Sequence, residues 1–155
     1  MAVEIERKFL VPAGQWNPGA QVGTRLRQGY LCRGDRASVR IRVAADQAWL
    51  TVKGPTTGIS RAEFEYAIPV DDANAMLAEL AGGRIVEKVR YAETFAGNLW
   101  SVDRFLGDNA GLIVAEIELD HPETVIPLPP WIGPEVSGDS RYFNSALAVT
   151  PFTTW

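Results

Sequence analysis

Residues 1–11 read MAVEIERKFLV, and within them Glu4, Glu6 and Lys8 stand at alternate positions with Ile5, Arg7 and Phe9 between. Period-two alternation is a strand signal, because successive side chains on a strand point to opposite faces. Two carboxylates and an ammonium therefore share one face of a first strand, expected over residues 3–11.

The same period recurs over 24–33 (TRLRQGYLCR), 37–44 (ASVRIRVA), 49–54 (WLTVKG), 61–68 (RAEFEYAI), 84–95 (RIVEKVRYAETF), 99–106 (LWSVDRFL) and 112–120 (LIVAEIELD). The links RGDR, AADQ, GPTTG, AGN and GDNAG are short and turn-like, which favours antiparallel neighbours. Two stretches break the pattern. DDANAMLAEL (71–80) spaces Met76, Leu77 and Leu80 as a helix does, with Asp at its start and Gly82-Gly83 as its stop. DSRYFNSALA (139–148) reads as a second helix, with Asp139 or Ser137 as N-cap. PLPPWIGPEV (127–136) is too rich in proline for either regular element.

Sorted by face, the strands carry the pattern of the first. Arg40 and Arg42 share a face, as do Lys53 and Thr51, then Arg61, Glu63 and Glu65, then Lys88 and Arg90. Asp103 follows on the seventh strand, and Glu116 and Glu118 on the eighth. An antiparallel sheet with one solvated face is the plain alternative. It strains here, because like charges repeat at i and i+2, about 7 Å apart. At an effective dielectric near 20, each such pair costs roughly 2 kcal/mol unless solvent screens it. A closed eight-stranded barrel supplies compensation, since acids and bases would line one lumen. Its apolar faces would point outward, the two helices would cover only part of them, and dimerisation is one way to bury the rest. Carboxylate clusters suit hard divalent cations, Mg²⁺ or Mn²⁺. Arg and Lys clusters suit phosphate oxygens. Together they describe a polyanion bound with metal ions, without the glycine-rich phosphate loop, since GxxxxGK[ST] is absent.

Composition narrows the classes further. The chain has 155 residues, which fits one domain, and 46% of them are apolar. A net charge of −4 and a pI near 5.0 argue against a general nucleic-acid binder. A single cysteine, Cys32, rules out an internal disulfide and a cysteine-based zinc site. The lone histidine, His121, precedes Pro122 and reads as a loop residue, so zinc sites built on histidine clusters are excluded. No leader or membrane span is read in the sequence, and a cytoplasmic protein without membrane or nucleic-acid partners is expected.

The motifs, taken in order, resemble a known family. EIERKFLV carries an ExExK pattern, followed by RQGYL (27–31), the Arg-x-Arg of SVRIRV, TVKG, SRAEFEYAI, VEKVRY, the Asp of SVDRF, VAEIEL, PPWIGPEV and SRYFNSALA. This series resembles the CYTH domain of triphosphate tunnel metalloenzymes over almost the full length. The short form is similar to small bacterial members that resemble inorganic tripolyphosphatases. The resemblance implies one domain over residues 1–155. Its fold would be α+β, mainly β: an eight-stranded antiparallel barrel, the triphosphate tunnel, with a few helices including a C-terminal plug helix. It implies a metal-dependent hydrolase that cleaves linear triphosphates, most of all inorganic tripolyphosphate, to diphosphate and phosphate by in-line attack of a metal-activated water.

By matching position, the resemblance places Lys8, Arg40, Arg42, Lys53, Arg61, Lys88 and Arg90 on the phosphates. It places Glu4, Glu6, Glu63, Asp103, Glu116 and Glu118 on two Mg²⁺ or Mn²⁺ ions, while Glu63 and Glu65 could instead pair with neighbouring bases. Lys8, Tyr30, Glu4 and Glu6 would serve the chemical step. Tyr30 opposes Arg25 and Arg27 in strand parity, so all three face the lumen only with a bulge. Arg141, in the final helix, would close one tunnel end or stand as a surface arginine. Arg7, Arg33, Arg36 and Arg104 read as solvated charges. The alternatives on the same fold are a thiamine triphosphatase, a nucleoside triphosphatase and a class IV adenylyl cyclase. A non-catalytic polyphosphate-binding module is the alternative of another class.

Overall fold

In the computed structural model, which describes residues 3–155, eight strands close into one barrel. They are β1 (Val3–Leu10), β2 (Thr24–Arg33), β3 (Ser38–Ala44), β4 (Gln47–Lys53), β5 (Ser60–Ile68), β6 (Ile85–Phe95), β7 (Asn98–Phe105) and β8 (Ile113–Glu118). Around the barrel they run β1-β5-β4-β3-β2-β6-β7-β8, and every neighbouring pair is antiparallel. Hairpins join the sequential pairs; Ala96 and Gly97, both at positive φ, make the two-residue turn between β6 and β7. β1 closes the ring by pairing with β5 on one side and β8 on the other.

Helix α1 (Val70–Leu80) lies in the β5–β6 connection and starts and stops within a residue of the expected span. Its Ala73 and Leu77 pack on Ile41 and Ala48 of the outer barrel face. Gly29 permits that approach: a Cβ there would meet Leu77 and Ile85 at 2.9 Å. A second apolar cluster also lies outside the barrel, over Phe9, Tyr91, Trp100, Val102, Ala115 and Ile117. Irregular chain covers it, with Trp16 and Trp131 packed against it. On β5, Phe64 and Tyr66 remain exposed at 47% and 58%.

The third cluster sits on the barrel's inner face. Val86 and Val114 share strand parity with Lys88 and Glu116, and with Phe105 they hold Val136, Tyr142 and Leu147. The inner face thus changes from charged to apolar along the barrel axis, and the C-terminal segment fills the apolar part. That segment differs from the expected helix over 139–148. It is a 3₁₀ turn at Ser140–Tyr142, then Phe143 in extended conformation, then a single turn, α2 (Asn144–Leu147). Asp139 does cap the first turn, accepting the Arg141 backbone N–H. Burying both Tyr142 and Leu147 in the barrel end outweighs helix propensity, and the break at Phe143 brings its ring 5.7 Å from the Lys8 ammonium. Among the described residues no helix is long and apolar enough to cross a membrane.

Candidate active site

The charged faces read from the sequence all meet inside the barrel. A cavity of about 150 Å³ is lined by seven cationic side chains (Lys8, Arg40, Arg42, Lys53, Arg61, Lys88, Arg90) and six glutamates (Glu4, Glu6, Glu63, Glu65, Glu116, Glu118). Strand register sets their order. Lys8 stands opposite Glu116, and Glu6 opposite Glu118, across β1 and β8. On the far wall Lys53 opposes Glu63 and Thr51 opposes Glu65, across β4 and β5.

Most of the acids are matched. Glu4 accepts from Lys53 Nζ at 3.1 Å and Arg61 Nε at 3.0 Å, and Lys53 also reaches Glu63 at 3.0 Å. Burial opposes the Glu4 carboxylate, but Lys53 and Arg61 outweigh it and hold its pKa below the ordinary value. Glu65 accepts from Thr51 at 2.8 Å and from Arg40 and Arg42 at 3.4 Å. Asp103, fully buried, takes a forked pair from Arg90 at 2.7 and 2.8 Å and the Lys88 ammonium at 2.7 Å. Burial pushes Lys88 down to about 8, against the pull of Asp103, with the Arg90 charge adding to the fall. Arg90 itself is held above its ordinary value: burial works against it, but Asp103 and Glu116 prevail. Glu116 bonds Lys8 at 3.2 Å and stays well below the carboxylate range, because Lys8 and Arg90 overcome its burial.

Two carboxylates are left over. Glu6 and Glu118 face each other across β1 and β8, and no salt bridge of the described residues reaches either. Burial and the neighbouring Glu116 push Glu6 up to about 7. Burial and the surrounding Glu4 and Glu63 raise Glu118. The far wall shows the opposite excess: the Nε atoms of Arg40 and Arg42 are buried with no acceptor. A buried donor without an acceptor is costly, and half-buried Glu6 and the more exposed Glu118 stand without a cation, so each side marks capacity for a ligand.

The donor set fits a divalent cation at Glu6 and Glu118. Mg²⁺ is ordinarily held by one or two carboxylates together with waters and substrate phosphates. Among the described residues no three acidic, cysteine or histidine side chains converge into a ready-made cage. That departs from the six-acid metal set expected from the sequence. Glu4, Glu63 and Glu116 are drawn aside by Lys53, Arg61 and Lys8. Asp103 is closed off completely: its two oxygens are taken by Arg90 and Lys88, and it does not line the cavity. Its place is behind the two bases, which it holds in position.

One further expectation shifts, and the choice that strand parity forced between Tyr30 and the pair Arg25 and Arg27 falls to Tyr30. Arg141 does not reach the lumen, being exposed, bound to Asp139 at 2.7 Å and stacked on Trp155. Arg25 and Arg27 point away, to Glu87 and to Asn74 of α1, while Tyr30 lines the cavity. Sequence reasoning missed Gln28 and Asn144. Gln28 is wholly buried and donates to Asn144 Oδ1 at 3.2 Å, and the same oxygen accepts Lys88 Nζ at 2.9 Å. Gln28 has the parity of Tyr30, which was the available signal. Asn144 gave none, because it enters the lumen only where the C-terminal helix breaks.

Comparison with known proteins agrees with this geometry. The CYTH domain profile matches residues 2–143. A curated relative from Acetivibrio thermocellus, named inorganic triphosphatase, is 49% identical over 152 residues, spanning 98% of this chain and 97% of its own. One of the same name from Nitrosomonas europaea is 40% identical over 152 residues, spanning 95% and 97%. A crystal structure of an inorganic triphosphatase superposes with a TM-score of 0.66 at 35% identity, covering 94% of this chain and 97% of that one. A Pyrococcus furiosus protein at 20% identity shares the fold, with a TM-score of 0.56 over 77% of this chain and 82% of its own.

Proposed function

The chain belongs to the CYTH domain family, and from that premise we propose that it is a metal-dependent hydrolase of linear triphosphates, inorganic tripolyphosphate above all. The observation that carries this reading is the double mismatch inside one lumen. Buried guanidinium donors on Arg40 and Arg42 lack acceptors, and the carboxylates of Glu6 and Glu118 lack cations. A polyanion accompanied by a divalent cation satisfies both at once. The lining also supports a substrate without an organic part, since among the described residues Phe143 and the Tyr30 ring are its only aromatic or apolar side chains. The two named triphosphatase relatives support the same substrate class.

In this reading Glu6 and Glu118 hold the divalent cation. When bound, the ion neutralises phosphate oxygens and acidifies a water at neutral pH. Two ions, Mg²⁺ or Mn²⁺, suit the family reading, and the second would require Glu4, Glu63 or Glu116 to exchange a base for the metal. The protein's own groups supply position and charge, which is what phosphoryl transfer chiefly needs. Arg40 and Arg42 offer their free Nε–H groups to one end of the chain. Lys88 and Arg90, fixed by Asp103, neutralise the phosphates beside Glu116. Lys8, held charged by Glu116 and Glu6 despite its burial, stabilises charge on the transferred group. Tyr30 offers its hydroxyl to the same phosphates. Arg61 and Lys53 hold Glu4 and contribute positive charge from the β4–β5 wall.

Phosphate release from tripolyphosphate, ATP, thiamine triphosphate and diphosphate, each with and without Mg²⁺, tests the reading. Tripolyphosphate should be cleaved fastest, to diphosphate and phosphate. Diphosphate should be poor, being too short to engage both the Glu6–Glu118 pair and the arginine wall. Comparable activity on ATP, or formation of cyclic AMP, would contradict this substrate choice.

A further inference from the structure

Asn144 enters the lumen on the single turn of α2, and its neighbours fix which way its amide faces. Lys88 Nζ lies 2.9 Å from its Oδ1. An ammonium only donates, so the Asn144 atom turned to Lys88 is the oxygen. The same oxygen accepts Gln28 Nε2 at 3.2 Å. Gln28 is wholly buried on β2, and its Nε2 also lies 3.4 Å from Tyr30 Oη. Gln28 and Tyr30 pair with Arg42 and Arg40 of β3 and precede a bulge at Leu31, beyond which Cys32 pairs with Val39, so the two keep one face of the strand. Turning the Gln28 amide over would set its oxygen against the Asn144 oxygen. It keeps the other orientation although its own Oε1 is then buried without a donor.

With two donors on its oxygen, Asn144 has only its NH2 left to offer. That group makes no hydrogen bond among the described residues, and it is not one of their buried unpartnered atoms. The half-buried side chain lines the lumen with Tyr30, Lys88 and Arg90, so the open space beside the NH2 is the lumen itself. Tyr30 is held alike: its oxygen faces the Gln28 NH2, which leaves its hydroxyl hydrogen to turn inward. An amide N–H in this place repels a metal ion and suits an anionic oxygen. The segment anchored by Tyr142 and Leu147 in the barrel end thus carries a neutral, oriented donor among the cations of the lining.

We propose that Asn144 is a substrate-binding residue: its amide N–H, aimed by Lys88 and Gln28, donates to a phosphate oxygen of the triphosphate held in the lumen. The inference rests on the triphosphate reading of that lumen. A purely structural Asn144 would only anchor α2 to Lys88. Asn144→Asp separates the two roles, because an aspartate keeps the oxygen that Lys88 and Gln28 need and replaces the N–H with an acceptor. The test is calorimetric binding of tripolyphosphate to the wild type, Asn144→Asp, Asn144→Ala and Ser145→Asp, with the melting temperature of each ligand-free protein. Ionic strength is matched, and divalent metal is left out so that the ligand stays intact. Ser145 is on the same lining, and Ser145→Asp adds the same charge one residue along, which reports the general field. Asn144→Asp should melt no lower than the wild type yet bind about tenfold or more weakly, and Ser145→Asp should lose less. Asn144→Ala, which gives up the oxygen as well, should melt lower and bind about fivefold or more weakly. Smaller binding losses at Asn144, an equal loss in Ser145→Asp, or an Asn144→Asp that melts as low as Asn144→Ala would overturn the proposal. Tripolyphosphate hydrolysis by the wild type with Mg²⁺ is assayed in parallel. Its absence would defeat the functional reading while leaving the binding comparison to decide the role of Asn144.

Discussion

The two walls of the lumen solve the problem of buried charge differently. On the β3–β4–β5 wall each acid has a base: Glu65 sits between Arg40 and Arg42, and Glu63 on Lys53. On the β1–β8 wall, register sets Glu6 against Glu118, acid on acid. Neither finds a base of its own: burial and Glu116 raise Glu6, and burial with Glu4 and Glu63 raises Glu118. The first wall is complete in its acids and short of acceptors for its arginines. The second is short of a cation. A lumen built this way leaves charge of both signs for its ligands to match.

The contrast is broken most forcefully behind the walls, at Asp103. Asp103→Asn leaves Lys88 and Arg90 buried without their carboxylate, and loss of one partner from a buried ion pair costs about 3–5 kcal/mol. Chemical denaturation of the metal-free protein should show that loss, and an effect below 1 kcal/mol would mean that the bases relax to solvent. At the unmatched wall the outcome should invert. Glu118→Gln should lower kcat at least about tenfold at saturating tripolyphosphate and Mg²⁺, because the interaction it removes matters in the transition state. Its metal-free stability should stay level or rise, since a carboxylate pressed by Glu4, Glu63 and Glu116 is gone. Full turnover in Glu118→Gln would remove this carboxylate from the metal site.

A smaller effect appears with pH. Lys88 is lowered to about 8 from an ordinary 10.5 by burial, so between those values the unfolded chain holds a proton that the folded protein has lost. Stability must then rise with pH across that window, by about 1 kcal/mol per unit, with the full burden of the buried ammonium present below pH 8. The difference in unfolding free energy between wild type and Lys88→Met, followed from pH 7.5 to 10, should climb. A flat difference would place Lys88 at an ordinary pKa.

Much of this was legible in the sequence because period two and the ExExK, Arg-x-Arg and Glu-x-Glu spacings report faces directly. Alternation shows which residues share a face and says little about which stand opposite. The Lys8–Glu116 and Glu6–Glu118 pairings depend on the register of strands more than 100 positions apart in sequence. For the same reason Asp103 read as a metal ligand, although its carboxylate is consumed by Lys88 and Arg90. The bulge at Leu31 is a one-residue slip in a strand of ordinary composition, and it reverses the side on which Arg33 stands. The C-terminal segment misled through real helical spacing. Tyr142 and Leu147 are both anchored in the barrel end, and the chain bends at Phe143 to let them in.

The claim that the two walls are completed together is tested most directly by melting temperature in four conditions at matched ionic strength: apo, Mg²⁺ alone, tripolyphosphate alone, and both. Ligand binding favours the native state by about 2.7 kcal/mol at a hundredfold excess over Kd, which is a rise of several degrees for a domain of this size. With both ligands the rise should exceed the sum of the separate rises, because each neutralises what the other needs. Arg42→Ala should lose most of the combined rise. Shifts that merely add, or that are equal in wild type and Arg42→Ala, would contradict a shared lumen and return the charged faces to ordinary solvated strands.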